Sequence, residues 1–326
     1  MSIVRWGILS TADIGMSKVT PAIQKAHNCD VVAIASRDVQ RAADAALQLG
    51  IPAAYGTYEE LLDSDDIDAV YIPLPNDMHA EWTFKAAEAG KHILCEKPLA
   101  MSSAQGLEMA SACDDAGVKL QEAFMYRHHP TWVDVVHRVR SREIGRLQSV
   151  QSAFSYFNDD PRNIRNRMEN GGGAMMDISC YNVNLSRLLF DAEPVRIESV
   201  VRRDPEMGID IVSSAILEFE GGGQSSFTCS TRAEDYQRVH IFGSEGRIEV
   251  EIPFNIPPNL DTRVFVTSSD TDGEVSTETV VFPPADQYTI QAELFAHAIL
   301  EDQPVAVPAD DAVSNMRVVE AILASG

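Results

Sequence analysis

Up to about residue 120, short apolar runs alternate with longer stretches whose apolar positions recur every three or four residues. The runs at 4–9, 31–35, 53–55, 69–72, 92–95 and 119–122 read as strands. The stretches at 39–49, 58–62, 79–89 and 102–116 read as helices, as does one that follows a turn over 10–15 and ends near 26. Strands that are apolar throughout, each followed closely by a helix, predict a parallel sheet covered by helices on both faces. The pattern then changes. A helix is expected over 132–139, a strand over 147–157, and a helix over 174–190 behind Gly171-Gly172-Gly173. Runs at 196–202, 211–220, 224–231, 237–243, 247–252, 263–267 and 277–282 alternate apolar with polar positions. That period belongs to strands with one buried face and predicts a mostly antiparallel sheet. Gly221-Gly222-Gly223 marks a hairpin turn between two of them. Helices over 290–300 and 310–324 finish the chain. A length of 326 residues suits two domains. The expected architecture is α/β followed by α+β, with a nucleotide-binding domain over 1–123 and an open-faced sheet domain over 124–326. The last helix is a candidate to pack back on the first domain.

Composition narrows the partners. Acidic residues number 49 against 26 basic ones, a formal net charge of −23, and only six of the cations are lysines. Such a field disfavours DNA, RNA and anionic membranes as partners. The acids are spread along the chain rather than gathered in a tail, which suits a folded surface screened by concentrated salt. A halophilic setting is therefore expected. No apolar tract of about 18 residues offers a membrane span. The first residues run into a strand pattern rather than the order of a secretory signal, so a cytoplasmic location is expected. Cys29, Cys95, Cys113, Cys180 and Cys229 are odd in number and widely spaced, which gives neither a disulfide framework nor a zinc motif. The His128-His129 pair has no acidic or cysteine partner at a ligating spacing, and no metal is expected.

The turn Ser10-Thr11-Ala12-Asp13-Ile14-Gly15 stands between the first strand and its helix, where a dinucleotide fingerprint belongs. Aligning Gly-x-Gly-x-x-Gly puts Ser10, Ala12 and Gly15 at the glycine positions, so one glycine survives. Small residues there still let the backbone approach a pyrophosphate at the helix N-terminus, although an ordinary tight turn has the same look. The second strand ends in Ser36-Arg37, where a carboxylate would bind a ribose 2′-hydroxyl and favour NAD. A hydroxyl followed by a guanidinium suits a 2′-phosphate and predicts NADP over NAD. The adjacent Asp38 works against strict exclusion of NAD.

Three further motifs make the pattern specific: Pro75-Asn76-Asp77-Met78-His79, Ile93-Leu94-Cys95-Glu96-Lys97-Pro98-Leu99, and Gly171-Gly172-Gly173-Ala174-Met175-Met176-Asp177-Ile178-Ser179-Cys180-Tyr181. With the amino-terminal turn and the later Gly243-Ser244-Glu245-Gly246-Arg247 segment, the chain resembles the Gfo/Idh/MocA oxidoreductases over essentially its whole length. Each motif alone is modest; their order and spacing together are specific. Glu122-Ala123-Phe124-Met125-Tyr126-Arg127 and Pro161-Arg162-Asn163-Ile164-Arg165 are similar to the branch of glucose–fructose oxidoreductase, dimeric dihydrodiol dehydrogenase and D-xylose dehydrogenase. The resemblance implies an N-terminal Rossmann domain that binds NAD(P), and a homodimer or homotetramer built through the C-terminal sheet.

It also implies a reaction: NADP-dependent oxidation of an aldopyranose at C1 to a lactone, with D-xylose the expected sugar. Glucose–fructose oxidoreduction and trans-dihydrodiol oxidation are the alternatives within the family, and a non-catalytic nucleotide-binding regulator is the alternative outside it. By the same resemblance, Lys97 orients the reacting hydroxyl and helps its proton leave, and as an ammonium it can donate to the developing oxyanion. Glu96 orients Lys97 or packs under the cofactor ribose. Asp177 and Tyr181 are four residues apart in an expected helix and so share a face, which the resemblance makes a substrate wall. Many members carry histidine at the position of Tyr181, whereas the sugar and dihydrodiol branch carries tyrosine. Tyr181 is then a general acid/base and Asp177 an anchor for a sugar hydroxyl, although a phenol is a poor base at neutral pH without a neighbouring cation. Arg127, Tyr156 and Arg165 are further substrate candidates. Pro75, Asn76 and His79 are expected along the cofactor.

Overall fold

The protein is described by a computed structural model over residues 2–269 and 273–326. Its first sheet contains β1 (Val4–Leu9), β2 (Cys29–Ala35), β3 (Ala53–Tyr55), β4 (Ala69–Ile72), β5 (His92–Cys95) and β6 (Leu120–Glu122), all parallel, in the order β3-β2-β1-β4-β5-β6. The direction of winding reverses between β1 and β4, which opens a crevice past the carboxyl ends of those strands. The continuous apolar runs have a direct cause. Val70, Ile72, Ile93 and Cys95 feed one core, while Ile8, Ile34, Tyr71 and Leu94 feed the core on the opposite face. The covering helices are α1 (Thr20–Lys25), α2 (Val39–Leu49), α3 (Tyr58–Leu62), α4 (His79–Glu88) and α5 (Ser103–Ala116). A π turn over Gly15–Val19 leads into α1.

After α6 (Pro130–Arg140) come β7 (Leu147–Phe157), a π turn over Met175–Ser179 and α7 (Cys180–Phe190). Then follow β8 (Pro194–Arg203), β9 (Asp210–Phe219), β10 (Gln224–Ser230), β11 (Arg232–Gly243), β12 (Gly246–Val250), β13 (Thr262–Ser269) and β14 (Val275–Phe282). These eight strands form a second sheet in the order β14-β13-β12-β11-β7-β10-β9-β8. Every neighbouring pair is antiparallel except β7–β10. Alternation sorts the faces: Val150, Phe154, Leu217, Phe227, Val239 and Ile241 are buried, whereas Gln151, Ile216 and Tyr236 are exposed. The helix that starts in the π turn covers the buried face, where Asn182 Nδ2 donates to Ser152 Oγ at 2.7 Å.

The chain ends with α8 (Gln287–Leu300) and α9 (Ala309–Ser325). Residues 1–125 and 287–313 make one compact unit, and residues 126–286 and 314–326 make the other. This differs from a single division after residue 123, because α8 returns to the first unit. The cause is its apolar face: Ala292, Phe295 and Ala296 complete the core around Ile8 and Ile23, with the Phe295 ring 5.6 Å from Trp6. Ala312 of α9 also lies in a first-unit core. Past residue 313, α9 groups with the second unit, where Ser199 Oγ donates to the Ile322 carbonyl at 2.7 Å. All five cysteines are buried, and none is in a disulfide. Among the described residues no helix is long and apolar enough to cross a membrane.

Candidate active site

At the first fingerprint position Ser10 has φ +143°, a backbone state for which glycine is the default. The serine folds its side chain into the turn, accepting the Ala12 N–H at 3.2 Å and donating to the Pro73 carbonyl at 3.3 Å. The shape expected of a glycine thus persists without the glycine. A helix begins at Asp13, and the amides of its first turn have no acceptor within the helix. Asp13, Ile14 and Gly15 therefore present backbone N–H groups suited to a pyrophosphate, with Thr11 in the turn before them and the Ala12 N–H taken by Ser10. A Cβ on Gly15 would lie 3.4 Å from the Pro73 side chain, so the turn is closely packed against the end of β4.

Beyond β2, Ser36 is buried and Arg37 is exposed. Burial raises the Tyr58 phenol above its usual range, and Arg37, hydrogen-bonded to it, and the nearby Arg41 oppose that push. Two guanidinium groups therefore gather at Tyr58, one of them absent from the sequence shortlist. Asp38 is otherwise engaged. Its Oδ1 caps α2 by accepting the Gln40 N–H at 2.9 Å and the Arg41 N–H at 3.3 Å. The acid beside Arg37 is an N-cap, a role that a carboxylate just before a helix announces in sequence. Hydroxyl, guanidinium and capped helix together fit the adenosine end of a nicotinamide dinucleotide.

Lys97 is half-buried in the turn after β5, next to a cis Lys97–Pro98 peptide. Three buried side chains hold this turn. Tyr71 donates its hydroxyl to Glu96 Oε1 at 2.6 Å, and Glu122 Oε1 accepts the Leu99 N–H at 2.8 Å. His79 is 0% exposed, with Nδ1 2.9 Å from the Pro98 carbonyl and Nε2 2.8 Å from the Leu74 carbonyl. Both ring nitrogens face acceptors. The ring therefore braces two loops. Burial lowers its pKa, while the carbonyls of Leu74, Pro98 and Leu99 favour the proton. Burial and the Glu96 charge raise the Tyr71 phenol well above its usual range, which keeps it a donor. Pro75 and Asn76 are half-buried where a short turn follows β4. Tyr71 was not singled out in sequence and Glu122 only as the start of a family motif, although polar groups in strands buried on both faces are a usable signal.

In the second unit, Asp177 lies within the π turn and Tyr181 is the second residue of α7. The pair is therefore not spaced as on a regular α-helix, because a π turn is wider. Both nevertheless meet the same strand. Tyr156 donates its hydroxyl to Asp177 Oδ2. Two residues away along β7, the Phe154 ring lies 5.9 Å from Tyr181. Arg165 Nε is 3.1 Å from Asp177 Oδ1. Burial and the Asp177 charge push the Tyr156 phenol up, so it too stays a donor. Tyr156, Arg165 and Asp177 form one cluster, while Tyr181 is buried against Phe154, Phe254 and Tyr126, with the last two rings at 5.3 and 5.9 Å. Arg165 is held by its backbone, since Gly173 N–H donates to its carbonyl at 2.9 Å and Gly172 N–H donates to that of Arg167 at 2.9 Å. Arg127 lies half-buried in the short turn Met125–His128. Among the described residues no group of three His, Cys, Asp or Glu side chains is placed to hold a metal ion.

This geometry agrees with the comparisons to known proteins. Residues 4–124 match the model of an oxidoreductase family with an NAD-binding Rossmann fold, and residues 132–249 match the Gfo/Idh/MocA C-terminal domain. An uncharacterized oxidoreductase of Rhizobium meliloti is 41% identical over 99% of this chain and 96% of its own. A D-xylose 1-dehydrogenase (NADP(+)) of Haloferax volcanii is 41% identical over 98% of this chain and 96% of its own. Among solved structures, a 3-ketoreductase from Actinomadura kijaniata in complex with NADP and TDP-benzene superposes with a TM-score of 0.91. It is 29% identical, with 99% of this chain and 98% of that one covered. The chain therefore belongs to the Gfo/Idh/MocA oxidoreductase family, its NAD-binding Rossmann domain followed by the family's C-terminal domain.

Proposed function

We propose that this oxidoreductase uses NADP to oxidise an aldopyranose at C1 to its lactone, with D-xylose as the substrate. The observation that carries the substrate class is the Tyr156–Asp177–Arg165 cluster. Its carboxylate is paired with one guanidinium and accepts one phenol hydrogen bond, which suits hydrogen bonding to neutral hydroxyls. The NADP-dependent D-xylose dehydrogenase relative, 41% identical over nearly the whole chain, supports the specific sugar.

NADP is favoured over NAD by Ser36, Arg37 and the nearby Arg41, with Asp38 committed to its cap. The pyrophosphate is assigned to Ser10, Thr11, Ala12, Asp13, Ile14 and Gly15, and Pro75, Asn76 and Glu96 line the nucleotide. When bound, the nicotinamide accepts the hydride that leaves the anomeric carbon. The chain's own residues must then orient the sugar and take up the hydroxyl proton. Lys97 holds that hydroxyl and assists its deprotonation, with the turn fixed by Tyr71, His79 and Glu122. Asp177, Tyr156, Arg165 and Arg127 bind the remaining hydroxyls. Tyr181 acts as the acid/base partner, and its aromatic surroundings exclude water from the phenol. Exposed Val200, Ile216 and Tyr236 on the second sheet support association of like chains into a dimer or tetramer.

A panel of D-xylose, D-glucose, L-arabinose and a trans-dihydrodiol, each with NAD and NADP in molar KCl, tests this reading. D-xylose with NADP should give the highest kcat/KM. Turnover of the dihydrodiol alone would reject the sugar assignment, and absence of turnover with all of them would favour a regulatory nucleotide-binding protein.

A further inference from the structure

Asp210, the first residue of β9, is 4% exposed and has no place in the chemistry above. Its Oδ2 accepts the Met175 N–H at 2.8 Å and the Ser213 hydroxyl at 2.7 Å. Its Oδ1 lies against Gly173, which has φ +118° and where any Cβ would overlap that oxygen. Glycine is thus required at this point both by conformation and by the approach of the carboxylate. Burial raises the carboxyl pKa, while Ser213 and the Met175 amide favour its charged form.

Met175 is the first residue of the π turn, Asp177 lies inside that turn, and Tyr181 follows it. A π turn holds one residue more than an α turn, so relaxing it rotates the preceding residues by about 100° relative to the rest of the helix. Such a change would carry Asp177 away from Tyr156 while Tyr181 stayed beside Phe154. The entry to the turn is therefore the point at which the relative placement of the two side chains is decided. We propose that Asp210 is a positioning residue for substrate recognition: by pinning Met175 and Gly173 it holds the π turn and fixes Asp177 relative to Tyr181. This rests on the assignment of Asp177 and Tyr181 to the substrate.

A double-mutant cycle tests the proposal, using Asp210→Ala, Asp177→Asn and the combination, with KM for D-xylose, kcat and the NADPH Kd read for each. Asp210→Ala should raise the sugar KM by about tenfold or more with the NADPH Kd changed less than about twofold, and the double variant should be no worse than Asp177→Asn alone. Asp210→Asn, run through the same cycle, serves if the alanine variant does not fold. Additive losses, or parallel losses of sugar and cofactor binding, would overturn the positioning role while leaving Asp177 as a substrate residue. An Asp177→Asn enzyme with unchanged sugar KM would remove the substrate assignment itself and the proposal with it.

Discussion

The His79 ring nitrogen Nδ1 lies 2.9 Å from the Pro98 carbonyl oxygen, which ties the start of α4 to the turn that carries Lys97. Replacing the ring removes the one N–H that a neutral imidazole donates between these two buried carbonyls, at about 1–3 kcal/mol for the group left unsatisfied. His79→Leu should lower kcat by about tenfold or more while the NADPH Kd changes less than about threefold. His79→Gln can still donate to one carbonyl and should recover part of the loss. Steady-state kinetics with a fluorescence titration of NADPH decide the matter. A cofactor affinity that falls in step with kcat would favour the cofactor-lining role for His79.

Arg37 and Asp38 are adjacent but perform separate tasks, which separates their variants. Arg37→Ala should reduce kcat/KM for NADP by about 10–100-fold and leave NAD little changed, because a charge-assisted contact to the 2′-phosphate is lost. Asp38→Ala should cost about 1 kcal/mol of stability through loss of the α2 cap. Its NADP-to-NAD ratio should stay where it was. A ratio that moves strongly in Asp38→Ala would mean that the carboxylate reads the ribose after all.

The architecture and the chemistry were not equally legible in sequence. Strand β4 is buried at every position because alternate residues enter opposite cores, so its run announced a strand covered on both faces. The boundaries of β1, β3 and β7 were equally plain. The start of β11 was not, because Arg232, Glu234 and Asp235 precede its apolar part. The π turn left no signature, since one extra residue in a helix alters hydrogen bonding without altering which positions are apolar. Asp177 and Tyr181 therefore looked like an ordinary pair one helical turn apart. Lys97 stood out through its motif, but Tyr71, His79 and Glu122 hold its turn through long-range contacts that local patterning does not encode. Asp210 was hidden for the same reason: its partners Met175 and Gly173 are more than thirty residues away in sequence.

His128 and His129 make the second unit acid-sensitive. Burial, aided for His128 by the Arg127 charge, lowers both pKa values to about 4. His129 Nδ1 also accepts the Thr131 N–H that starts α6, a bond that only the unprotonated nitrogen can make. The unfolded chain protonates these rings near pH 6.5, whereas the folded chain resists until about pH 4. Their contribution is therefore fully present above pH 6.5 and is lost as pH falls toward 4, on the order of 2–3 kcal/mol for each ring. Scanning calorimetry between neutral pH and pH 4.5 should show Tm falling with acid, and the slope should be shallower in His128→Gln. An identical slope in that variant would assign the acid sensitivity elsewhere.

The net charge of −23 predicts a strong response to salt. At low ionic strength the acidic surface repels itself over tens of ångströms, and molar KCl confines each charge to about 3 Å. Tm should rise steeply from low to molar KCl, with glycerol or sucrose unable to substitute fully for the salt. A Tm independent of KCl would remove the halophilic reading of the composition.

The most direct test is the initial rate of NADPH formation from D-xylose in molar KCl, measured side by side for the wild-type enzyme and Lys97→Ala. The wild type should turn over steadily. The variant should be slower by about a thousandfold, as expected of a lost general acid/base group, while binding NADPH within about twofold of the wild type. A wild type that forms no NADPH, or a Lys97→Ala enzyme that forms it equally fast, would contradict the account.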